Sequence, residues 1–117
     1  MIDYVDPIPP VVKLLSSLFD EKVYGNTMPN NPALPCILVR NMGGTDYTRL
    51  QLLVRGRSDI EAMVLCINAM NDLRRFASRI QLRGVWIEKE TNPISDIDED
   101  TKRPEAWCYL RMEHLES

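Results

Sequence analysis

Hydrophobic positions near the start of the chain follow the period of an α-helix. After Pro9 and Pro10, apolar residues recur at spacings that place them on one helix face: Val11, Leu14, Leu15 and Leu18. Because the first turn of a helix does not need the N–H group that proline lacks, the pattern predicts an amphipathic helix of about three turns beginning at these prolines. Residues 23–35 contain three prolines and three asparagines, which predicts a surface connection with at most a short strand at Val23 and Tyr24.

Two segments in the next third of the chain have strand patterns. Residues 35–40 form a short apolar run, and residues 49–55 alternate between apolar and polar or arginine side chains. Between them, Gly43 and Gly44 can adopt the positive φ angles that a turn requires, so the two strands are predicted to form a hairpin. A phosphate-binding loop would need more glycines, a Lys-Ser or Lys-Thr pair and a helix directly after it, and this segment has none of these.

A capping box marks the start of a second helix. The Ser58 hydroxyl can accept a hydrogen bond from the Glu61 amide, while the Glu61 carboxylate returns to the Ser58 amide. The helix is predicted to run for about 20 residues. Apolar residues repeat with the 3.6-residue period of a helix: Ile60, Met63, Val64, Ile67, Leu73, Phe76, Ala77 and Ile80. Arginines collect where the helix dipole is negative: Arg74, Arg75, Arg79 and Arg83.

The last third contains two more strand-like segments, residues 84–90 and 106–115. In the second of them, Cys108, Leu110 and Met112 face one way, and the residues between them face the other. The segment between the two strands, residues 91–105, contains two prolines and a run of acidic residues. It is predicted to be a mobile loop of about fifteen residues, a length that is usually functional when it carries no secondary structure.

These elements predict one α+β domain over residues 1–117. We expect a mostly antiparallel four-stranded sheet with two helices packed on it, in the order helix-strand-strand-helix-strand-strand. The predicted core consists of the apolar residues on the inner faces: Leu14, Leu18, Ile37, Val39, Leu50, Leu52, Val54, Met63, Ile67, Phe76 and Leu110. Replacing Leu52 or Ile67 with alanine is expected to cost about 2–5 kcal/mol of stability.

Composition and charge narrow the possible functions. The 117 residues are 44% hydrophobic and 26% charged, which is typical of one globular domain. The net charge of −3 argues against nucleic-acid binding as the main task, since phosphate neutralisation needs clustered Lys and Arg. Residues 40–83 hold eight arginines and four acidic residues, whereas residues 84–117 hold four basic and nine acidic residues. The chain is therefore positive in its middle and negative in its last third.

The sequence contains no recognisable catalytic, cofactor or metal site. His114 is the only histidine and is expected to be exposed or partly packed. Read as a calcium loop from Asp96, the acidic run places Thr101 where glycine is needed and Trp107 where a glutamate should close the site. A solvated acidic loop is the favoured interpretation of this run, with a weak divalent-cation site as the alternative. We therefore expect a protein that is not an enzyme.

The cysteine pattern and the hydropathy indicate a soluble protein. Cys36, Cys66 and Cys108 form no Cys-x-x-Cys motif and lie among apolar residues, which predicts buried free thiols in a reducing compartment. No segment approaches the ~20 apolar residues that cross a bilayer, and the N-terminus lacks the basic residues of a secretory signal.

Arginine, acidic and aromatic residues outside the predicted core are candidate contacts with other proteins. Arginine forks pair with carboxylates at interfaces, and exposed aromatic side chains are commonly covered by a partner. Opposite charges on separate surfaces suit a head-to-tail contact between copies, which closes into a ring if the rotation allows it. Dipole compensation and solubility are the alternative explanation of the arginines. The candidate interface residues are Arg49, Arg55, Arg57, Asp96, Asp98, Asp100, Trp107, Tyr109 and Arg111.

Taken together, the order of elements and two local motifs resemble a known family. The first motif is LLVRGRSD, with Arg55 and Gly56 at the end of a strand, and it is followed by the long helix IEAMVLCINAMNDLRRF. The second is the basic-Pro-Glu-aromatic stretch in KRPEAWCYLRME, which opens the last strand. Across nearly the whole chain, this pattern is similar to the tail terminator proteins of long-tailed bacteriophages, also called minor capsid or tail-completion proteins.

The resemblance implies a structural role in the virion. It implies a small subunit, made in the cytoplasm of the bacterial host, that forms a hexameric ring at the head–tail junction. The ring would cap the tail tube protein, end tube elongation and offer its other face to the head–tail connector protein, while DNA passes through without sequence-specific binding. Arg55 and Arg57 become candidate ring contacts, and residues 91–105 a candidate arm that orders on docking. The alternatives are a head-completion or connector-stopper subunit, and a small ligand-binding domain or enzyme.

Overall fold

Two helices and six strands make up the α+β fold of the protein. The computed structural model describes residues 4–115. The elements, in chain order, are α1 (Ile8–Leu18), β1 (Lys22–Gly25), β2 (Cys36–Asn41), β3 (Thr48–Arg55), α2 (Asp59–Arg75), a 3₁₀ turn (Ala77–Arg79), β4 (Arg83–Lys89), β5 (Ile94–Ile97) and β6 (Pro104–Leu115). Both helices contact the same sheet, so the expected two-layer arrangement of helices on a sheet is confirmed.

The sheet has six strands instead of the four that the sequence predicted. Its order is β1-β2-β3-β6-β4, and β5 pairs with the first residues of β6. The pairs are antiparallel except for β1 with β2, which are parallel. The two additional strands are β1 and β5, each of four residues. Main-chain pairing holds such short strands in place, and a hydrophobic pattern does not reveal that pairing.

The segment predicted as an irregular loop is largely a β-hairpin. The twelve residues of β6 are enough to pair with β4 along one half and with β5 along the other. The Asp98 amide donates to the Arg103 carbonyl at 3.0 Å, and the Lys102 amide donates to the Asp98 carbonyl at 2.7 Å, which closes the turn. The prediction of a loop over 91–105 without secondary structure is therefore wrong. All four residues of β5 are exposed. The strand therefore has no alternation of apolar and polar residues from which the sequence could predict it.

Local signals located α2 correctly, but only part of its predicted apolar face is buried. The Glu61 amide donates to the Ser58 hydroxyl at 3.1 Å, as the capping box predicts, whereas the Glu61 carboxylate accepts from the Arg57 amide at 2.9 Å instead of the Ser58 amide. The helix has 17 residues. The side chains that face the sheet are Ala62, Leu65, Cys66, Ala69, Met70 and Leu73. Ile60, Val64 and Ile67, which the helical period places on the apolar face, are 73%, 52% and 37% exposed.

The first turn of α2 lies close to the sheet, where the small side chain of Ala62 faces inward. A Cβ atom built on Gly56 would lie 2.9 Å from the Ala62 amide nitrogen, so the start of the helix sits tightly against the end of β3. Most of the predicted core is confirmed, with these residues buried: Leu14, Ile37, Val39, Leu50, Leu52, Val54 and Leu110. Leu18, Met63 and Phe76 are partly buried against that core. Ile67 is the predicted core residue that lies on the exposed face.

Leu52 and Ile67 are now expected to differ in their effect on stability. Leu52 is fully buried at the centre of β3, so Leu52→Ala removes packed atoms, leaves a cavity and should cost about 2–5 kcal/mol. Ile67 keeps about a third of its surface in solvent, and Ile67→Ala should cost about 1 kcal/mol. Urea denaturation of both variants tests this difference. If both variants lost the same unfolding free energy, Ile67 would be as fully packed in the core as Leu52.

Candidate interaction surfaces

One face of the sheet carries most of the residues that the sequence singled out. Side chains alternate along a strand, and the apolar side chains of β3 and β6 face the helices. Their neighbours therefore face the opposite side, which we call the outer sheet face. Arg49 lies directly opposite Arg111, and Arg55 lies opposite Glu105. The predicted site residues on this face are Arg49, Arg55, Asp96, Trp107, Tyr109 and Arg111.

Arginines and aromatic rings stack on one another across the outer sheet face. The Arg49 guanidinium carbon lies 3.8 Å from the centroid of the Tyr109 ring, and that of Arg111 lies 4.0 Å from the centroid of the Tyr47 ring. Trp107 and Tyr109 meet edge to face with ring centroids 5.2 Å apart. Trp107 and Tyr109 are partly buried by these neighbours. Trp107 and Tyr109, which the sequence predicted to be exposed and covered by another protein, are thus largely covered by their own chain.

Arg55 makes a nearly buried ion pair. Its side chain is 13% exposed, and Nε and Nη2 each lie 2.9 Å from Glu105 Oε2, while Asp98 Oδ2 is 3.7 Å from Nη2. Burial raises the pKa of Glu105, and the hydrogen bond and charge of Arg55 oppose that rise. Hydrogen bonds from Thr101 lower the pKa of Asp98. The pair joins the end of β3 to the start of β6, so Arg55 has a structural role within the chain.

The remaining predicted charges are more exposed. Arg57, whose side chain is 67% exposed, pairs with Glu61 through Nη2 and Oε2 at 2.7 Å. That hydrogen bond and the opposite charge hold the pKa of the Glu61 carboxyl below its ordinary value. Arg49 Nε lies 3.6 Å from Glu90 Oε1, and Asp100 lies exposed in the β5–β6 turn. At Arg55, the attraction between the positive middle and the acidic last third is satisfied by hydrogen bonds inside one chain, whereas Arg49 makes only a longer ion pair and its Nε has no hydrogen-bond partner.

An exposed apolar surface lies on the helix side of the sheet. Ile60, Val64 and Ile67 follow one another at spacings of four and three, so they form a stripe along α2. Ile97 pairs with Pro104, two residues before the inward-facing Ala106, which places Ile97 on the helix side. Its side chain is 59% exposed, and β5 contacts α2. We call Ile60, Val64 and Ile67 the α2 stripe, and Ile97 lies on the same side of the sheet.

Sequence reasoning missed the α2 stripe because it placed Ile60, Val64 and Ile67 on the apolar face of the helix and counted Ile67 in the core. The sequence nevertheless contained a sign of the stripe, because this helix has more apolar positions than one buried face can hold. Ala62, Cys66 and Ala69 repeat with the same period as Ile60, Val64 and Ile67 but lie on the opposite side. A single helix cannot bury two opposite stripes against one sheet. Only one of the two apolar stripes can therefore pack on the sheet, and the other faces solvent or a partner protein.

The cysteines and the histidine are packed within the fold. Cys36, Cys66 and Cys108 are free and buried, as predicted. A hydrogen bond with Cys108, together with burial, raises the pKa of the Cys66 thiol. His114 is partly buried with its ring centroid 6.5 Å from that of Tyr4. Within residues 4–115, no group of three or more His, Cys, Asp and Glu side chains is arranged to hold a metal ion.

Comparisons with known proteins add no further assignment. The chain matches no protein-family model, and a search of curated proteins found no match. In the part of the chain that the structure describes, no helix is both long enough and apolar enough to cross a bilayer. The architecture of two helices on a six-stranded mixed sheet therefore defines the class of the protein as α+β.

Proposed function

We propose that this protein is a structural virion subunit that assembles with copies of itself into a ring and acts as a tail terminator. In this role a hexameric ring caps the tail tube at the head–tail junction, stops its elongation and presents a second face to the connector. The resemblance in element order, the LLVRGRSD motif and the KRPEAWCYLRME segment supports the family. No step of this role requires the chain to transform a small molecule.

The single observation that carries the proposal is the α2 stripe. Soluble monomers rarely leave several large aliphatic side chains adjacent on one surface, and such patches mark contacts with other proteins. Ile60 and Val64 are 73% and 52% exposed, well beyond the ordinary exposure of aliphatic side chains. A neighbouring subunit that covers the stripe would remove this surface from water. The domain is also small, so burial between subunits would add to a modest intrinsic stability.

Charge is compatible with a ring that surrounds DNA. A lumen rich in lysine would hold the phosphates of a passing duplex, whereas this chain has a net charge of −3. Because Arg49 and Arg55 already pair with Glu90 and Glu105, the proposed subunit contact depends on apolar burial more than on the arginines. We therefore propose that the exposed apolar surface of α2, more than opposite charges, stabilises the head-to-tail contact between copies.

Two experiments test the proposal at different levels. Electron microscopy of the purified protein, alone and with tail tubes, should show six-fold rings with a central hole, free or at tube ends. Particles from a phage lacking the gene should carry tails of abnormal and variable length. Tails of normal length that fail to join heads would instead identify a connector-stopper subunit. Compact monomers under both conditions, together with normal particles from the deletion, would overturn a structural role.

A further inference from the structure

A cleft lined by three arginines lies at one end of the sheet. It has a volume of about 440 Å³ and is bounded by three separate segments. The connection between β1 and β2 contributes one wall, the junction of β3 with α2 a second, and the β5–β6 turn a third. We call it the arginine cleft, and its lining residues are Asn30, Asn31, Pro32, Leu34, Arg55, Arg57, Thr101 and Arg103.

The lining of the arginine cleft has a strong charge asymmetry. Among the described residues that line it, three are arginines and none is acidic. The carboxylates that pair with Arg55 and Arg57 belong to residues outside the lining. Those pairs hold two of the guanidinium groups in place, and each guanidinium has five N–H donors. Donors of both arginines therefore remain available to a ligand.

Arg103 differs from the other two arginines. It lies exposed beside the start of β6, and its side chain makes no hydrogen bond or ion pair with another residue in the range 4–115. Its backbone position is set, because its carbonyl accepts the hydrogen bond from the Asp98 amide that closes the turn. The cleft thus combines two oriented guanidinium groups with a third that is free to pair.

The other lining residues indicate the kind of ligand. Asn30 and Asn31 carry amides that both donate and accept hydrogen bonds, which suits the peptide groups of an extended chain. Pro32 and Leu34 supply apolar surface for the aliphatic part of a side chain. The cleft has a volume of about 440 Å³ and is bounded by three chain segments, so a lone phosphate would leave most of it to solvent. Arginine forks match carboxylates in two-point geometry.

We propose that the arginine cleft binds an acidic peptide segment of a partner protein. Carboxylates of the segment pair with Arg103 and with the free donors of Arg55 and Arg57, while Asn30 and Asn31 hold its backbone. This binding function goes beyond the ring proposal and does not depend on it, since the α2 stripe and the cleft share no residue.

Isothermal titration of the full chain with a capped peptide of alternating aspartate and glutamate tests the proposal. We expect saturable binding that weakens as salt is raised, because the contacts are charge pairs at the surface. Arg103→Ala should raise Kd at least tenfold, and Arg57→Ala should also weaken binding. The matched control is Arg83→Ala, which removes an exposed arginine from β4 at the opposite end of β6 and should leave Kd unchanged.

Further probes separate the possible outcomes. A peptide with glutamine and asparagine in place of the acidic residues should not bind, and inorganic phosphate should bind much more weakly than the acidic peptide. Equal affinity for phosphate would overturn a peptide site in favour of a simple oxyanion site. An equal loss of peptide affinity in Arg83→Ala would show that the peptide is held only by general charge attraction. If the wild-type protein shows no saturable binding, the proposed peptide site is rejected. Thermal melting of each variant reports whether it has folded, and Arg103→Lys, which keeps the charge, should recover part of the affinity.

Discussion

Arg55→Ala is expected to lower the free energy of unfolding by about 3–5 kcal/mol, the loss typical of removing one partner from a buried ion pair. The Arg55 side chain is 13% exposed and meets Glu105 through two nitrogen atoms at 2.9 Å each. Without the guanidinium, the Glu105 carboxylate, which is 7% exposed, would stay buried without its cation. Urea denaturation monitored by circular dichroism measures the loss.

A second arginine near the same strand end provides the matched control. Arg57 also pairs with a glutamate at short distance, but its side chain is 67% exposed. Solvent screens such a pair, and Arg57→Ala should cost about 1 kcal/mol or less. If both variants lost the same small amount, the Arg55–Glu105 pair would contribute nothing beyond a surface ion pair. The contrast therefore compares a nearly buried ion pair with an exposed one at the same end of β3.

Replacing Val64 and Ile67 together with glutamine is expected to weaken self-assembly by about a hundredfold or more. Burying a large aliphatic side chain contributes about 1.5–3 kcal/mol, and each 1.4 kcal/mol changes an equilibrium constant tenfold. Because both side chains are already partly in solvent, the monomer should stay folded and lose only a few degrees of melting temperature. Sedimentation velocity over a range of concentrations measures the assembly constant.

The control for the α2 stripe is another exposed apolar residue away from α2. Met42 follows β2 in the β2–β3 connection and is 45% exposed. Met42→Gln should leave assembly unchanged. Unchanged assembly of the Val64→Gln, Ile67→Gln protein would show that the stripe is not the contact between copies. A simultaneous loss in the Met42 variant would indicate non-specific association through any exposed apolar group.

Sequence and structure agree where the information is local. The capping box at Ser58 and Glu61 involves residues three apart, and the alternation over residues 49–55 shows directly which side chains share a face. The buried thiols were also predictable from their apolar neighbours. In each case the physical cause lies within a few residues of its effect, so a reading of the chain alone could find it.

The candidate sites depended on pairings that no local pattern contains. Arg55 and Glu105 are 50 residues apart and meet because β3 and β6 pair in one particular register. The same register places Arg49 opposite Arg111 and thereby sets up the stacking of arginines on tyrosines. The sequence identified these residues as candidates without indicating that their nearest partners lie within their own chain.

The amino-acid sequence by itself determined the α+β class, most of the core and the positions of both helices, because periodicity and capping act over one or two turns. Only the tertiary structure decided which side of α2 is buried, since that depends on how closely the helix can approach the sheet. The small side chains of Ala62, Cys66 and Ala69 permit that approach, and Ile60, Val64 and Ile67 are left outside. Tertiary structure likewise added β5, whose backbone needs β6 beside it, and brought three distant segments together around the arginine cleft.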